Sequence, residues 1–325
     1  MIVPKFWAEA SVQGRVGGRN ATVRRFGWSD ESEAAAQAHA QQRATEACAR
    51  LVAGERLQRR ELKRPYNGAE GVPIREEIVA HHGTAVITRN AYGALCLNTP
   101  DVLFADIDFP EPPAPGLGCV PMLLLFLAGA GLGRWMHSGW IGIGAAVLLP
   151  CIGQAAAWAV ARLRRYRAPD PEQVARVRVE SFVAAHPDWR VRLYRTPAGL
   201  RMLAMHRVFD PAEAAVAQCF AALGADPIYV RMCLNQHCFR ARVSPKPWRI
   251  GIGEHMRPRP GVWPVKFEHM ARRQRWISAY EQVAAGYAAC RFVAELGSGA
   301  VDAQARAVQA LHDELCRVQS ELPLA

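Results

Sequence analysis

Two apolar runs in the middle of the chain constrain its fold more than any other feature. They cover 117–133 and 140–161, and the short connector between them holds Arg134 and His137. A bilayer core about 30 Å thick requires roughly 20 apolar residues, because each helical residue adds about 1.5 Å. The second run reaches this length, the first falls slightly short, and polar segments flank both. The pattern therefore predicts a two-helix transmembrane hairpin over 117–161, rather than two core helices of a soluble domain.

Basic residues predict how this hairpin is oriented. Residues 162–167 contain four arginines, whereas the connector contains one. Positive residues beside a membrane span are retained in the cytoplasm. We therefore expect a two-pass protein with both termini in the cytoplasm. Nine cysteines without a paired framework suit that reducing compartment, and the abundance of Ala and Arg favours a bacterial inner membrane.

Patterning on either side of the hairpin predicts an α+β protein. Residues 1–110 begin with two alternating strands and continue with an Ala-rich helix and short strands. Residues 168–262 read as a helix, two strands, a helix and two more strands, of which Ile228–Leu234 is one. Residues 263–325 are predicted to be a helical tail. We expect the two cytoplasmic segments to form one split domain, interrupted by the hairpin.

Two carboxylates at the end of the N-terminal segment could carry chemistry. Asp106 and Asp108 lie two residues apart in the apolar strand LFADIDF. A strand sends alternate side chains to the same face, about 7 Å apart, so both carboxylates share one side. Such a pair is a natural platform for Mg²⁺ or Mn²⁺ that clamps phosphate oxygens.

Two basic segments downstream would complement such a site. The first, 193–207, carries Arg195, Arg201, His206 and Arg207, and the second, 239–249, carries Arg240, Arg242, Lys246 and Arg249. Arginines at this density suit a nucleotide or a nucleic-acid backbone. The alternative is a cytoplasmic surface beside an anionic leaflet, where each basic residue near the lipid contributes about 1 kcal/mol. The net charge of +11 does not separate these partners.

These motifs, in this order, resemble the archaeo-eukaryotic primase superfamily. In that family an hDhD strand precedes a hairpin strand that ends in a histidine, and a further acidic motif follows. Asp106 and Asp108 match the first motif, and His206 matches the second. The resemblance implies metal-dependent nucleotide binding by the two aspartates, with His206 and Arg201 as catalytic groups. The third motif has no counterpart beyond Asp210 or Asp226, so both an active nucleotidyltransferase and an inactive relative stay open.

Other interpretations stay open beside this resemblance. Asp106 and Asp108 could instead cap a loop or pair with nearby arginines. The whole chain could be a non-catalytic scaffold that holds cytoplasmic partners at the membrane. A transport function is disfavoured, because Gln154 is the main polar group inside the apolar runs. Cys233-Leu-Asn-Gln-His-Cys238 lacks a fourth zinc ligand at a suitable spacing, which favours buried structural cysteines.

A proline-rich linker, 109–116, separates Asp108 from the first apolar run. At about 3.1 Å per residue it would span roughly 25 Å. A site at Asp108 would then lie close to the lipid surface, where a small nucleotide or a single strand fits better than a duplex.

Overall fold

The computed structural model describes residues 4–61, 72–110, 116–259 and 263–325 of a mixed α+β protein. Its strands are β1 (Phe6–Val16), β2 (Arg19–Ser29), β3 (Glu77–His82), β4 (Ala85–Arg89), β5 (Leu95–Thr99), β6 (Phe104–Asp108), β7 (Arg190–Thr196), β8 (Gly199–Ala204), β9 (Phe239–Arg242) and β10 (Arg291–Gly297). Its helices are α1 (Glu33–Val52), α2 (Cys119–Trp135), α3 (Gly139–Arg167), α4 (Pro171–Ala185), α5 (Ala214–Leu223), α6 (Pro227–Gln236), α7 (Phe267–Ala284) and α8 (Ala303–Cys316).

The N-terminal strands and helix form as the sequence predicts. β1 and β2 are an antiparallel pair, and the Ser32 side chain caps α1 by accepting a bond from the Ala35 N–H. Gly27 lets this helix approach the strands closely, because a Cβ there would lie 2.1 Å from the Ala40 nitrogen. The buried face of α1 consists mainly of small alanines, which permits this contact.

Two four-stranded sheets combine strands from both sides of α2 and α3. One has the order β10-β7-β8-β6 and the other β3-β4-β5-β9, all with antiparallel neighbours. Within them, β6 pairs with β8 and β5 pairs with β9. Residues 4–108 and 177–325 accordingly cluster into one compact unit, and 109–176 into a second.

The second unit contains α2 and α3, which pack against each other through small residues. A Cβ on Gly133 would lie 2.1 Å from the Gly142 Cα, and one on Gly129 would lie 2.3 Å from the Ala146 nitrogen. Burial on α3 is confined to Gly142, Ala146 and Pro150. Most of the large apolar side chains of both helices are exposed.

One stretch of the described chain, Gly139–Ala185, is long and apolar enough to cross a membrane, and 11 % of its most apolar window is buried. α2 is also apolar and has 17 residues, which is at the short end of the range for a membrane span.

Two sequence predictions about the C-terminal segment are wrong. The expected strand at Ile228–Leu234 is part of α6, which Asp226 caps by accepting from the Ile228 N–H, with Pro227 in the first turn. The expected helical tail over 263–325 is interrupted by β10, which pairs with β7. An available sheet edge therefore outweighs the local helical pattern, and this segment is part of the folded unit.

Candidate functional site

The structure places Asp106 and Asp108 on the same face of β6, at the edge of the first sheet. Arg201 lies directly opposite Asp106 on β8. Its Nε and Nη2 donate to the two carboxylate oxygens of Asp106 at 2.7 and 3.1 Å. Both oxygens of Asp106 are therefore bound to a guanidinium group, and the pair of aspartates carries one uncompensated charge instead of two.

Arg201 is an interior residue. It is 2 % exposed, and its Nη1 donates to the Arg242 carbonyl at 2.8 Å and lies 3.4 Å from His312 Nε2. Although burial opposes its charge, Asp106 raises the pKa of Arg201 overall. This residue connects the two sheets and is not placed to contact a substrate, so the catalytic assignment of Arg201 has no geometric support.

His206 lies away from the aspartates. It follows the end of β8, five residues beyond Arg201, which is about 16 Å of extended chain. Its ring packs at 4.6 Å from Trp189 and 5.4 Å from Phe209, and burial lowers its pKa. The two motifs that resemble primases are thus not brought into one cleft.

Three of the predicted substrate-binding arginines are used within the fold. Arg195 donates to the Gly199 carbonyl at 3.1 Å, and Arg207 pairs with Glu213. Arg240 is buried and donates to both oxygens of Glu76 at 2.8 and 2.7 Å. Contacts within the protein therefore explain the positions of these three arginine side chains without a ligand.

The remaining three predicted basic residues lie together beside β6. Arg242 ends β9, whereas Lys246 and Arg249 come from the segment that follows, which includes a short 3-10 helix at Pro247–Ile250. All three are half-buried. Burial lowers the pKa of Lys246, and Arg242 and Arg249 lower it further. Burial, and then Arg242, likewise lower the pKa of Arg249.

Two nitrogens of this cluster, which we call the basic cluster (Arg242, Lys246, Arg249), have no partner among the described residues. They are Arg242 Nε and Arg249 Nη1, both inaccessible to solvent as single atoms. A buried donor without a partner costs about 1–3 kcal/mol. Native proteins normally avoid this cost, so such donors need an acceptor that a water molecule, an ion or a ligand can supply.

Acidic and aromatic residues border the basic cluster. Burial raises the pKa of Asp108, Asp106 and Asp226 raise it further, and Lys246 and Arg242 oppose the shift. Trp248 lies 5.5 Å from the Lys246 ammonium and packs edge-on against Tyr92 at 5.1 Å. The cluster thus holds three positive charges against one uncompensated carboxylate at Asp108 and the half-buried Asp226.

This charge balance decides what the site could hold. A divalent cation needs a local excess of carboxylate oxygens. Here Asp106 is neutralised by Arg201, and Asp108 faces several cations, which favours an anion with several acceptor oxygens. The expected Mg²⁺ or Mn²⁺ platform at Asp106 and Asp108 is therefore disfavoured by its neighbours.

Sequence reasoning found the basic cluster and considered Asp226 only as a candidate for a third acidic motif. It missed Tyr92, which is distant along the chain and which no motif marks. It also missed a buried group of Cys290, His312 and Cys316, whose ligand atoms all lie within 4.8 Å of one another. The spacing of four between His312 and Cys316 on a helix was the available signal.

Comparison of this chain with known protein families, with curated proteins and with solved structures returns no match.

Proposed function

We propose that this chain is a membrane-anchored protein whose α+β unit binds a phosphate-bearing ligand through Arg242, Lys246 and Arg249. The observation that carries the proposal is the pair of buried, unpartnered guanidinium nitrogens, Arg242 Nε and Arg249 Nη1. A phosphate oxygen has about the size of a water molecule, so both side chains must shift for phosphate to reach these nitrogens. Guanidinium groups then bind phosphate through charge-assisted hydrogen bonds.

The ligand class follows from the surroundings. A nucleotide or a short single strand offers both phosphates and a flat ring, and the half-exposed Trp248 beside Lys246 would support stacking. No transfer reaction is part of this proposal, since His206 and Arg201 lie in structural positions.

The helices α2 and α3 bury small residues between them and expose large apolar side chains, which supports a membrane anchor. In α2 and α3 the small residues face the partner helix, while Leu124, Phe126 and Ile143 are exposed. Exposure of such an apolar surface to water is unfavourable, whereas lipid chains would solvate it. We propose that both helices cross a bacterial inner membrane, with the arginines of 162–167 on the cytoplasmic side, and that the α+β unit is cytoplasmic.

The binding proposal is tested with the full chain in a zwitterionic detergent. Binding of inorganic pyrophosphate and of ATP is measured at equilibrium. Arg249→Gln removes one charge-assisted bond worth about 1.5–3 kcal/mol, which is roughly a tenfold to hundredfold loss of affinity. Arg231→Gln is the matched control, because Arg231 is an exposed arginine on α6.

The outcomes are distinct. Selective weakening by Arg249→Gln supports the proposal, and equal binding by both variants contradicts it. Binding to vesicles containing phosphatidylglycerol, without binding of either soluble probe, would assign the cluster to the lipid headgroups instead.

The anchor is tested separately. Deletion of 117–161 should release the protein from membranes washed with carbonate. A cysteine introduced into the connector by Ser138→Cys should be labelled only by a reagent with access to the periplasmic side. Labelling from the cytoplasmic side only would contradict the two-pass arrangement.

A further inference from the structure

Two cysteines and a histidine form a buried group near Arg201, outside the basic cluster. Cys290 immediately precedes β10, and His312 and Cys316 lie one turn apart on the inner face of α8. All three residues are 0 % exposed. The Ala289 N–H donates to the Cys316 carbonyl at 3.0 Å, so the backbone already joins the two segments. Sulfur and imidazole ligands from two segments thus meet in a dry interior.

From this placement we infer a zinc site formed by Cys290, His312 and Cys316. In tetrahedral coordination, Zn–S distances of about 2.3 Å and Zn–N distances of about 2.0–2.1 Å put ligand atoms roughly 3.5–3.8 Å apart. Cys290 Sγ and His312 Nε2 already lie 3.8 Å apart. The three ligand atoms fall within 4.8 Å of one another, so side-chain shifts of about 1 Å would complete the geometry.

The histidine is oriented as a metal ligand requires. His312 Nδ1 lies 3.0 Å from the Asp313 carboxylate, which accepts a hydrogen bond from the Nδ1–H and so directs the Nε2 lone pair towards the cysteines. A carboxylate behind a histidine is the usual outer-shell partner of a zinc ligand, where it fixes the tautomer and raises the basicity of the ring.

The charges of the proposed ligands match those of a zinc ion. Two thiolates would balance the charge of Zn²⁺, while Arg201 remains paired with Asp106. Arg201 Nη1 retains the Arg242 carbonyl as an acceptor when the His312 lone pair turns to the metal. The second lone pair of that carbonyl, whose oxygen lies 4.0 Å from Cys316 Sγ, is the nearby candidate for the fourth position.

Such a metal would hold α8 to the segment before β10. Because the Arg242 carbonyl contacts both Arg201 and Cys316, the site would also support the end of β9, from which Arg242 projects. The inference does not depend on the ligand proposed above.

The test uses the full chain, reduced and purified in detergent without chelator. We expect about one zinc per chain by mass spectrometry of the metal. Replacement by Co²⁺ should give tetrahedral d–d absorption and a thiolate-to-cobalt charge-transfer band. Cys316→Ser should weaken that band, and Asp313→Asn should lower the metal affinity by about 10–100-fold. Cys219→Ser is the control, because Cys219 is equally buried but outside the group.

Three results would overturn the inference. These are a wild-type cobalt complex without a thiolate band, equal metal affinity in Cys316→Ser and Cys219→Ser, and recovery of a Cys290–Cys316 disulfide from zinc-supplemented protein. If the cysteine variants do not fold, the zinc content and the cobalt spectrum of the wild-type protein still show whether the chain binds the metal through thiolates.

Discussion

The ion pair between Arg240 and Glu76 provides a direct test of how the two halves of the chain are joined. Arg240 lies on β9 and Glu76 precedes β3, so the pair connects segments on opposite sides of the apolar helices. Their side chains are 6 % and 2 % exposed. Arg240 Nη1 also donates to Asn98 at 3.1 Å, and Thr88 donates to Glu76 at 2.7 Å. The pair is therefore the centre of a buried polar network.

Arg240→Met should be strongly destabilising. It keeps the bulk of the side chain but leaves the Glu76 carboxylate buried without its main partner, which costs about 3–5 kcal/mol. For a unit of this size, each kcal/mol lowers the midpoint of thermal unfolding by about 2–4 °C, so we expect a loss of roughly 6–20 °C. Thermal unfolding in detergent, followed by tryptophan fluorescence, measures this shift.

The double variant Arg240→Met/Glu76→Leu separates the pair from its surroundings. Because it removes both charges, it should recover most of the stability lost in the single variant. Arg50→Met, which breaks an exposed pair with Glu55, should leave the midpoint nearly unchanged. A loss below about 1 kcal/mol in Arg240→Met would refute the reasoning, because Glu76 would then tolerate losing its partner. The reasoning would also be refuted if the double variant lost as much free energy of unfolding as the two single variants added together.

Three further predictions concern the apolar helices and the basic cluster. Gly133→Leu should force α2 and α3 apart and lower the free energy of unfolding in detergent by about 1–3 kcal/mol. Gly131→Leu should be tolerated, because a Cβ at Gly131 has nothing within 4 Å, and equal losses in the two variants would contradict the packing. Pyrophosphate affinity should fall as the pH rises through the lowered pKa of Lys246, because only the ammonium form attracts the anion, and Lys246→Arg should move this fall to higher pH in a titration of affinity. Asp108→Asn should bind pyrophosphate severalfold more tightly because a repulsive charge is removed. If instead the wild-type protein needs Mn²⁺ for binding and Asp108→Asn does not bind, a metal at Asp108 is supported.

The sequence by itself determined the elements that depend on local pattern. Alternation predicted β1 and β2, an apolar strand pattern predicted β6, and an Ala-rich stretch predicted α1, because the side-chain period is set over a few residues. The apolar composition of 117–161 was equally evident. Local pattern failed where longer contacts dominate: β10 occupies a region that reads as helix, since pairing with β7 outweighs its weak helical preference.

Tertiary structure alone decided which polar residues have partners. Asp106 and Arg201 are 95 positions apart, and only the pairing of β6 with β8 brings them opposite each other. The sequence presented Arg240 and Arg242 as equivalent basic residues, but Glu76 satisfies the first while Arg242 Nε has no partner among the described residues. A guanidinium paired within the fold and one that we propose binds a ligand differ in their neighbours, and those neighbours come from distant parts of the chain.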